Sequence, residues 1–279
     1  MARQLHWALL AAVPSSLLLG VTTYLSTDVA VVPLLWVVPL AIYLLTFIAA
    51  FARRPWIPER ITTAALPVLL LPLIVVLVLR TAEPAWLIVP LHLVTFAAAA
   101  LVCHGQLAAD RPRASELTLF YLWLAIGGAL GGLFNVLVAP VLFRVPLEYP
   151  AALVVASLLK PNRGVERSRP RFEIRDVVLP LGLGLAVAGI YLLMRRGGEG
   201  LARFELLLTL GLPAFVCYLF SPRSIRFGLA VGSLLVASQL RPDAVGSVID
   251  VERSFFGVHR VADDQANNLR LLFHGNTLH

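Results

Sequence analysis

LHLVTFAAAALVCHGQLAADRPRASELTLFYLWLAIGGALGGLFNVLVAP, residues 91–140, decides the fold. Two apolar stretches flank one short charged hinge, DRPRASE (110–116). Neither stretch alternates apolar with polar residues, as a strand of a membrane barrel would. Each is long enough for a helix that crosses a bilayer, which takes about 20 residues. The second carries Gly127 and Gly131, and beside them Gly128 and Gly132, two overlapping GxxxG spacings. Glycines four apart let two helix backbones come close. Tyr121, Gly128 and Asn135 are seven apart and share a face. Asn135 either bonds across a helix interface or lines a ligand cavity.

The same texture extends through the chain. Of its 279 residues 59% are hydrophobic and 14% charged, with a mean hydropathy of +0.84. A soluble domain carries about 25% charged residues, so the composition predicts an all-α integral membrane protein. Apolar runs lie at 7–25, 31–51, 62–80, 85–103, 119–139, 147–160, 176–194, 203–220 and 224–240, a polytopic bundle of about eight or nine spans. The sixth is short and reads as a full span or a re-entrant half-helix. The first follows only Arg3 and His6 and could pass for a leader peptide, but apolar character resumes after Asp28, which favours a retained span. Pro14, Pro39, Pro67, Pro72, Pro90, Pro180 and Pro213 fall within or beside these runs, where neighbouring helices can satisfy the backbone groups that proline frees.

The net charge of +7 sits in short loops. ARRPWIPER (52–60), the hinge at 110–116 and KPNRGVERSRPRFEIRD (160–176) are basic, while the alternate loops are not. Cationic loops stay on the cytoplasmic side. The expectation is a cytoplasmic N-terminus, in a bacterial-type inner membrane, with the lipid bilayer as partner and no nucleic acid. The later loops, RRGGEGLAR and SPRSIR, are both basic and leave the side of the C-terminus open.

Polar residues at membrane depth are functional candidates by default. His92, His104, Tyr121, Asn135 and Glu148 form the candidate ligand or proton site. His92 and His104 stand twelve residues apart, about 18 Å along one helix, so they cannot share a metal ion, and no metal site is expected. The two cysteines, Cys103 and Cys217, imply no disulfide framework. No catalytic motif of a soluble enzyme occurs, so no catalytic residue is assigned.

After about residue 245 the period changes. SFFGVHRV and LRLLFHG read as strands around a polar turn, ADDQANN, with Asp263 and Asp264 in the turn. Two strands alone are marginal in water, and Phe255, Phe256, Leu271 and Phe273 call for a cover. The reading is therefore a transmembrane domain over 1–245 and, over 246–279, the start of a soluble β-rich domain.

The stretches ERSFFGVHRV and LRLLFHGNTLH, with VCHGQLAADRP, LTLFYLWLAIGGALGGLFNVLVAPVLF and EYPAAL, resemble membrane-fused spermidine synthase-like proteins. In that family a helical membrane region precedes a polyamine aminopropyltransferase-like domain. The resemblance implies that 246–279 begins that domain and that the sequence stops before its catalytic part. Decarboxylated S-adenosylmethionine would bind that missing part, and no cofactor is expected in these residues. Partners would be a separate or downstream enzyme domain, and this chain alone would not catalyse aminopropyl transfer. The family carries an acidic residue where this chain has Gln106, which puts a cation role there in question. The alternatives are a small-solute transporter and an intramembrane haem- or metal-binding protein.

Overall fold

The computed structural model describes residues 1–29, 34–162, 172–195, 204–241, 247–254, 257–264, 269–274 and 277–278. The described chain is mostly helical, with a small antiparallel sheet at its C-terminal end. The helices are α1 (Ala2–Tyr24), α2 (Val37–Phe51), α3 (Glu59–Leu79), α4 (Ala85–Ala109), α5 (Leu117–Leu133), α6 (Ala139–Leu142), α7 (Glu148–Leu159), α8 (Arg175–Arg195), α9 (Leu212–Phe220) and α10 (Ser224–Ala237). Wider π turns extend α1 through Leu25–Val29, join α5 to α6 through Phe134–Val138, and lead into α9 through Leu207–Gly211. Counting these continuations, five helices among the described residues are long and apolar enough to cross a membrane, and four apolar helices are shorter.

Contacts at the helix ends show that the helices alternate in direction. At one end Arg3 of α1 meets Asp110 after α4, Gln106 Nε2 donates to the Leu159 carbonyl at 2.8 Å, and Lys160 Nζ donates to the Ser221 carbonyl at 2.8 Å. At the other end Arg241 Nη1 donates to the Val78 carbonyl at the end of α3. Among the described residues the first end holds ten Lys/Arg and five Asp/Glu, and the second holds four of each before the sheet begins. These are the basic end and the sheet end.

Helix α1 runs through the centre. It lies parallel to α5, with Ala8 against Gly127, Ala12 against Gly131 and Ser16 against Asn135. A Cβ on Gly127 or Gly131 would run into the carbonyl oxygens of Ala8 or Ala12. On the same helix a Cβ at Gly128 would meet nothing within 4 Å, and one at Gly132 would meet only Leu19 at 3.8 Å. Hydroxyls complete the contact: Ser15 Oγ donates to the Gly128 carbonyl at 2.8 Å, and Asn135 Nδ2 donates to Ser16 Oγ at 2.6 Å.

The basic end of α1 is tied by Asp110. Its carboxylate accepts from Arg3 Nη2 at 2.9 Å and from Trp7 Nε1 at 2.6 Å. Burial pushes this carboxyl up, but the bonds from Arg3 and Trp7 outweigh it and hold the group below the usual carboxylate range. A lowered folded value means that the contribution is present in full above the ordinary carboxylate range and is lost as pH falls through the folded value. Thermal stability in detergent should therefore fall more steeply in acid for the native protein than for Asp110→Asn. Matching acid profiles for the two proteins would remove Asp110 as the source.

The sheet comprises β1 (Ser247–Ser254), β2 (Gly257–Asp264), β3 (Leu269–His274) and the two-residue β4 (Thr277–Leu278), in that order and antiparallel throughout. A bulge interrupts β1 between Val248 and Asp250. Gly257 opens β2 with φ 147, a conformation that favours glycine. The structure corrects the expected turn. Asp263 and Asp264 belong to β2, not to a turn, and Asp263 stands opposite Arg270 of β3. Aspartate is poor in strands, yet an opposite charge across the ladder stabilises it there. SFFGVHRV is likewise not one strand: β1 ends at Ser254 and β2 begins at Gly257. Phe255 and Phe256 lie outside the described residues. Period-2 alternation puts Val251, Arg253, Val258, Arg260, Ala262, Leu271 and Phe273 on one face. Arg260 lies over the Phe273 ring, 5.7 Å from its centroid.

Candidate functional site

At the sheet end, polar side chains from three helices and one strand converge beneath the sheet. The first turn of α7 carries Glu148 and Tyr149, both buried. Arg253 reaches them from β1. Its Nη2 donates to Glu148 Oε1 at 2.7 Å and its Nη1 to Oε2 at 3.1 Å, a two-pronged ion pair with side chains only 10% and 6% exposed. Nη1 also donates to the Val145 carbonyl at 3.0 Å and to the Phe143 carbonyl at 3.4 Å. A planar guanidinium suits this arrangement because its fork matches a carboxylate. Glu148 is also placed favourably for an anion, in the first turn of a helix.

Behind the ion pair, Tyr149 enters the bundle. Its hydroxyl lies 2.9 Å from His92 Nδ1. The His92 ring stacks on Tyr24 of α1 at a centroid distance of 4.7 Å, and Tyr24 and Tyr149 are 5.7 Å apart. Gly20 makes the approach possible, since a Cβ there would stand 3.0 Å from Tyr149 Cβ. His92 is fully buried, and its Nε2 has no hydrogen-bond partner among the described residues. When Nδ1 accepts from the Tyr149 hydroxyl, the single proton of the neutral ring sits on Nε2. That N–H is then an unused donor inside the bundle, a loss of about 1–3 kcal/mol until it finds an acceptor.

The structure does not gather the five sequence candidates in one place. His92 and Glu148 join through Tyr149. His104 lies between α4 and α2, where its Nδ1 is 3.2 Å from Thr46 Oγ1, and Tyr43 and Phe47 pack edge-on against its ring. Thr46 donates its own proton to the Tyr43 carbonyl at 2.8 Å, so His104 Nδ1 is the donor in its pair. Asn135 serves the α1–α5 contact, and its Oδ1 is buried without a partner among the described residues. Tyr121 is exposed on α5 and meets the Phe120 ring edge-on. Among the described residues, no three His, Cys, Asp or Glu side chains are grouped to hold a metal ion.

Sequence reasoning passed over Arg253 and Tyr24. The signal for Arg253 was nonetheless present. A lone Glu148 between apolar runs requires a cation when buried, and the neighbouring Arg144 is exposed. A second buried carboxylate follows the same rule at the basic end, where Asp176 accepts from Arg226 Nη2 at 2.8 Å and from Arg223 Nη1 at 3.1 Å.

No family model, no curated protein and no solved structure matches the chain.

Proposed function

We propose that this chain is the membrane module of a spermidine synthase-like protein, and that its bundle anchors an aminopropyltransferase-like domain through the C-terminal sheet. In this reading nine helices cross a bacterial-type inner membrane. Helix α3, of 21 residues, is about 31 Å long at 1.5 Å per residue, close to a hydrocarbon core of about 30 Å. Exposed tryptophans suit the two interfaces, with Trp56 at the basic end and Trp36 and Trp86 at the sheet end. The excess of Lys and Arg assigns the basic end to the cytoplasm, and alternation of nine helices then carries the sheet to the opposite face.

The observation that carries the proposal is the buried pair of Arg253 and Glu148. It fastens the first strand to the bundle, as an anchor for a following domain requires. Two experiments test the reading. In spheroplasts an impermeant maleimide should label Glu252→Cys directly and Ser115→Cys only after lysis; the reverse order would overturn the orientation. This chain joined to the proposed enzyme domain, assayed in membranes, should transfer the aminopropyl group of decarboxylated S-adenosylmethionine to a polyamine. Failure of that transfer would remove the enzymatic half of the proposal and leave the anchor.

A further inference from the structure

We infer that the sheet end of the bundle contains a binding site for an organic cation, built from the Glu148 carboxylate and the carbonyls of Phe143 and Val145, and that Arg253 is its built-in occupant. The inference uses the proposed function only in taking the bundle as membrane-embedded. It needs no enzymatic activity.

All acceptors around the guanidinium come from one short stretch of the bundle, residues 143–148, whereas the cation comes from a strand 105 residues further along the chain. The nearer arginine, Arg144, lies within that stretch and is exposed. Among the described residues the bundle therefore presents a carboxylate and two carbonyls, and the cation that meets them comes from β1. The amino end of α7 favours an anion at this position, with or without the sheet. Without the sheet, what is left is the Glu148 carboxyl group flanked by two carbonyl acceptors. That chemistry recognises a guanidinium or a primary ammonium, which offers several N–H donors and one positive charge.

The depth of the site fits a ligand approaching from the sheet side. Helix α7 has 12 residues and is about 18 Å long. Gly20 of α1 faces Tyr149 and is 17 residues from Arg3 at the basic end, about 26 Å along the helix, so Glu148 lies near the sheet-side boundary of a core of about 30 Å. A carboxylate buried there requires a partner. Arg253 meets this requirement while the sheet is seated. A free cation would meet it once the sheet lifts, so the sheet acts as a plug that competes with the ligand. The neighbouring His92 Nε2 adds an unused polar group one hydrogen bond beyond Tyr149.

Chemical rescue tests this. The full chain is prepared in nanodiscs as the native protein, Arg253→Ala, and Arg253→Ala combined with Glu148→Gln. Each is titrated with ethylguanidinium by calorimetry and by thermal unfolding. Arg253→Ala should bind ethylguanidinium saturably in the millimolar range and gain thermal stability with it. The double variant should bind at least tenfold more weakly, and the native protein should show no saturable binding over the same range. Urea, which has the same shape without the charge, should leave all three unchanged. Absence of saturable binding to Arg253→Ala overturns the inference, as does binding that survives Glu148→Gln. If Arg253→Ala does not fold, Arg253→Gln takes its place with the same expectations.

Discussion

Glu148→Ala should release the sheet from the bundle while the helices stay folded. The substitution strands the guanidinium of Arg253 against two carbonyls in a site where it is only 10% exposed. Removing one partner of a buried pair costs about 3–5 kcal/mol, mainly because the other charge is left uncompensated. Here the cost can be escaped by letting β1 move out to water, so the loss should appear as undocking. Amide exchange in β1 and β2, or tryptic cleavage after Arg253, Arg260 and Arg270, should speed up by about a hundredfold or more, since each factor of ten corresponds to about 1.4 kcal/mol. The double variant Glu148→Leu with Arg253→Met should recover part of this protection, because an apolar pair of similar volume often replaces a buried ion pair at little cost. Unchanged exchange in Glu148→Ala would mean that other contacts hold the sheet.

Gly127→Leu should have a larger effect on the bundle itself. The new Cβ would collide with the Ala8 carbonyl oxygen, and backbone cannot turn aside as a side chain can. Helices α1 and α5 would have to separate. That separation breaks the bonds of Ser15 to Gly128 and of Asn135 to Ser16. Overpacking alone costs about 1–3 kcal/mol, and sometimes more. With the two hydrogen bonds, each worth about 1 kcal/mol, the variant should lose its monodisperse peak in mild detergent or unfold well below the native temperature. Gly128→Ala is the control. It lies one residue away and meets open space, so its unfolding temperature should match the native protein. Equal losses in the two variants would overturn the crossing as the cause, since alanine and leucine both favour a helix over glycine.

Much of the helical layer was legible in the sequence, and most of the site was not. The apolar runs at 85–103, 147–160, 176–194 and 224–240 sit on α4, α7, α8 and α10 within a few residues. Long apolar stretches bounded by Pro, Gly and charge leave little choice of structure. The strands were harder. Ser247–Ser254 contains an Asp, a Glu and an Arg, and its place was set by pairing with β2 rather than by its own composition. The polar cluster depends on partners far apart in sequence: His92 and Tyr149 are 57 residues apart, and Arg253 and Glu148 are 105 apart. Spacing along a helix can show that two residues share a face, but not which distant helix faces them. The same limit separates the two GxxxG spacings, which look alike in sequence although only Gly127 and Gly131 meet α1.

The central place of α1 sets an order of events during synthesis. Its serines at 15 and 16 and its contacts through Ala8 and Ala12 all await α5. More than a hundred residues must be made between Ser16 and Asn135. At about 5–20 residues per second, that is roughly 6–24 seconds during which α1 has no mate for its polar face. In the proposed membrane reading, α1 depends during that interval on the insertion machinery, or on transient neighbours such as α2 and α4, to shelter its hydroxyls from lipid. A nascent chain stalled before residue 127 would hold α1 in that unpaired condition, which makes the arrival of α5 the step that commits the bundle to its final arrangement.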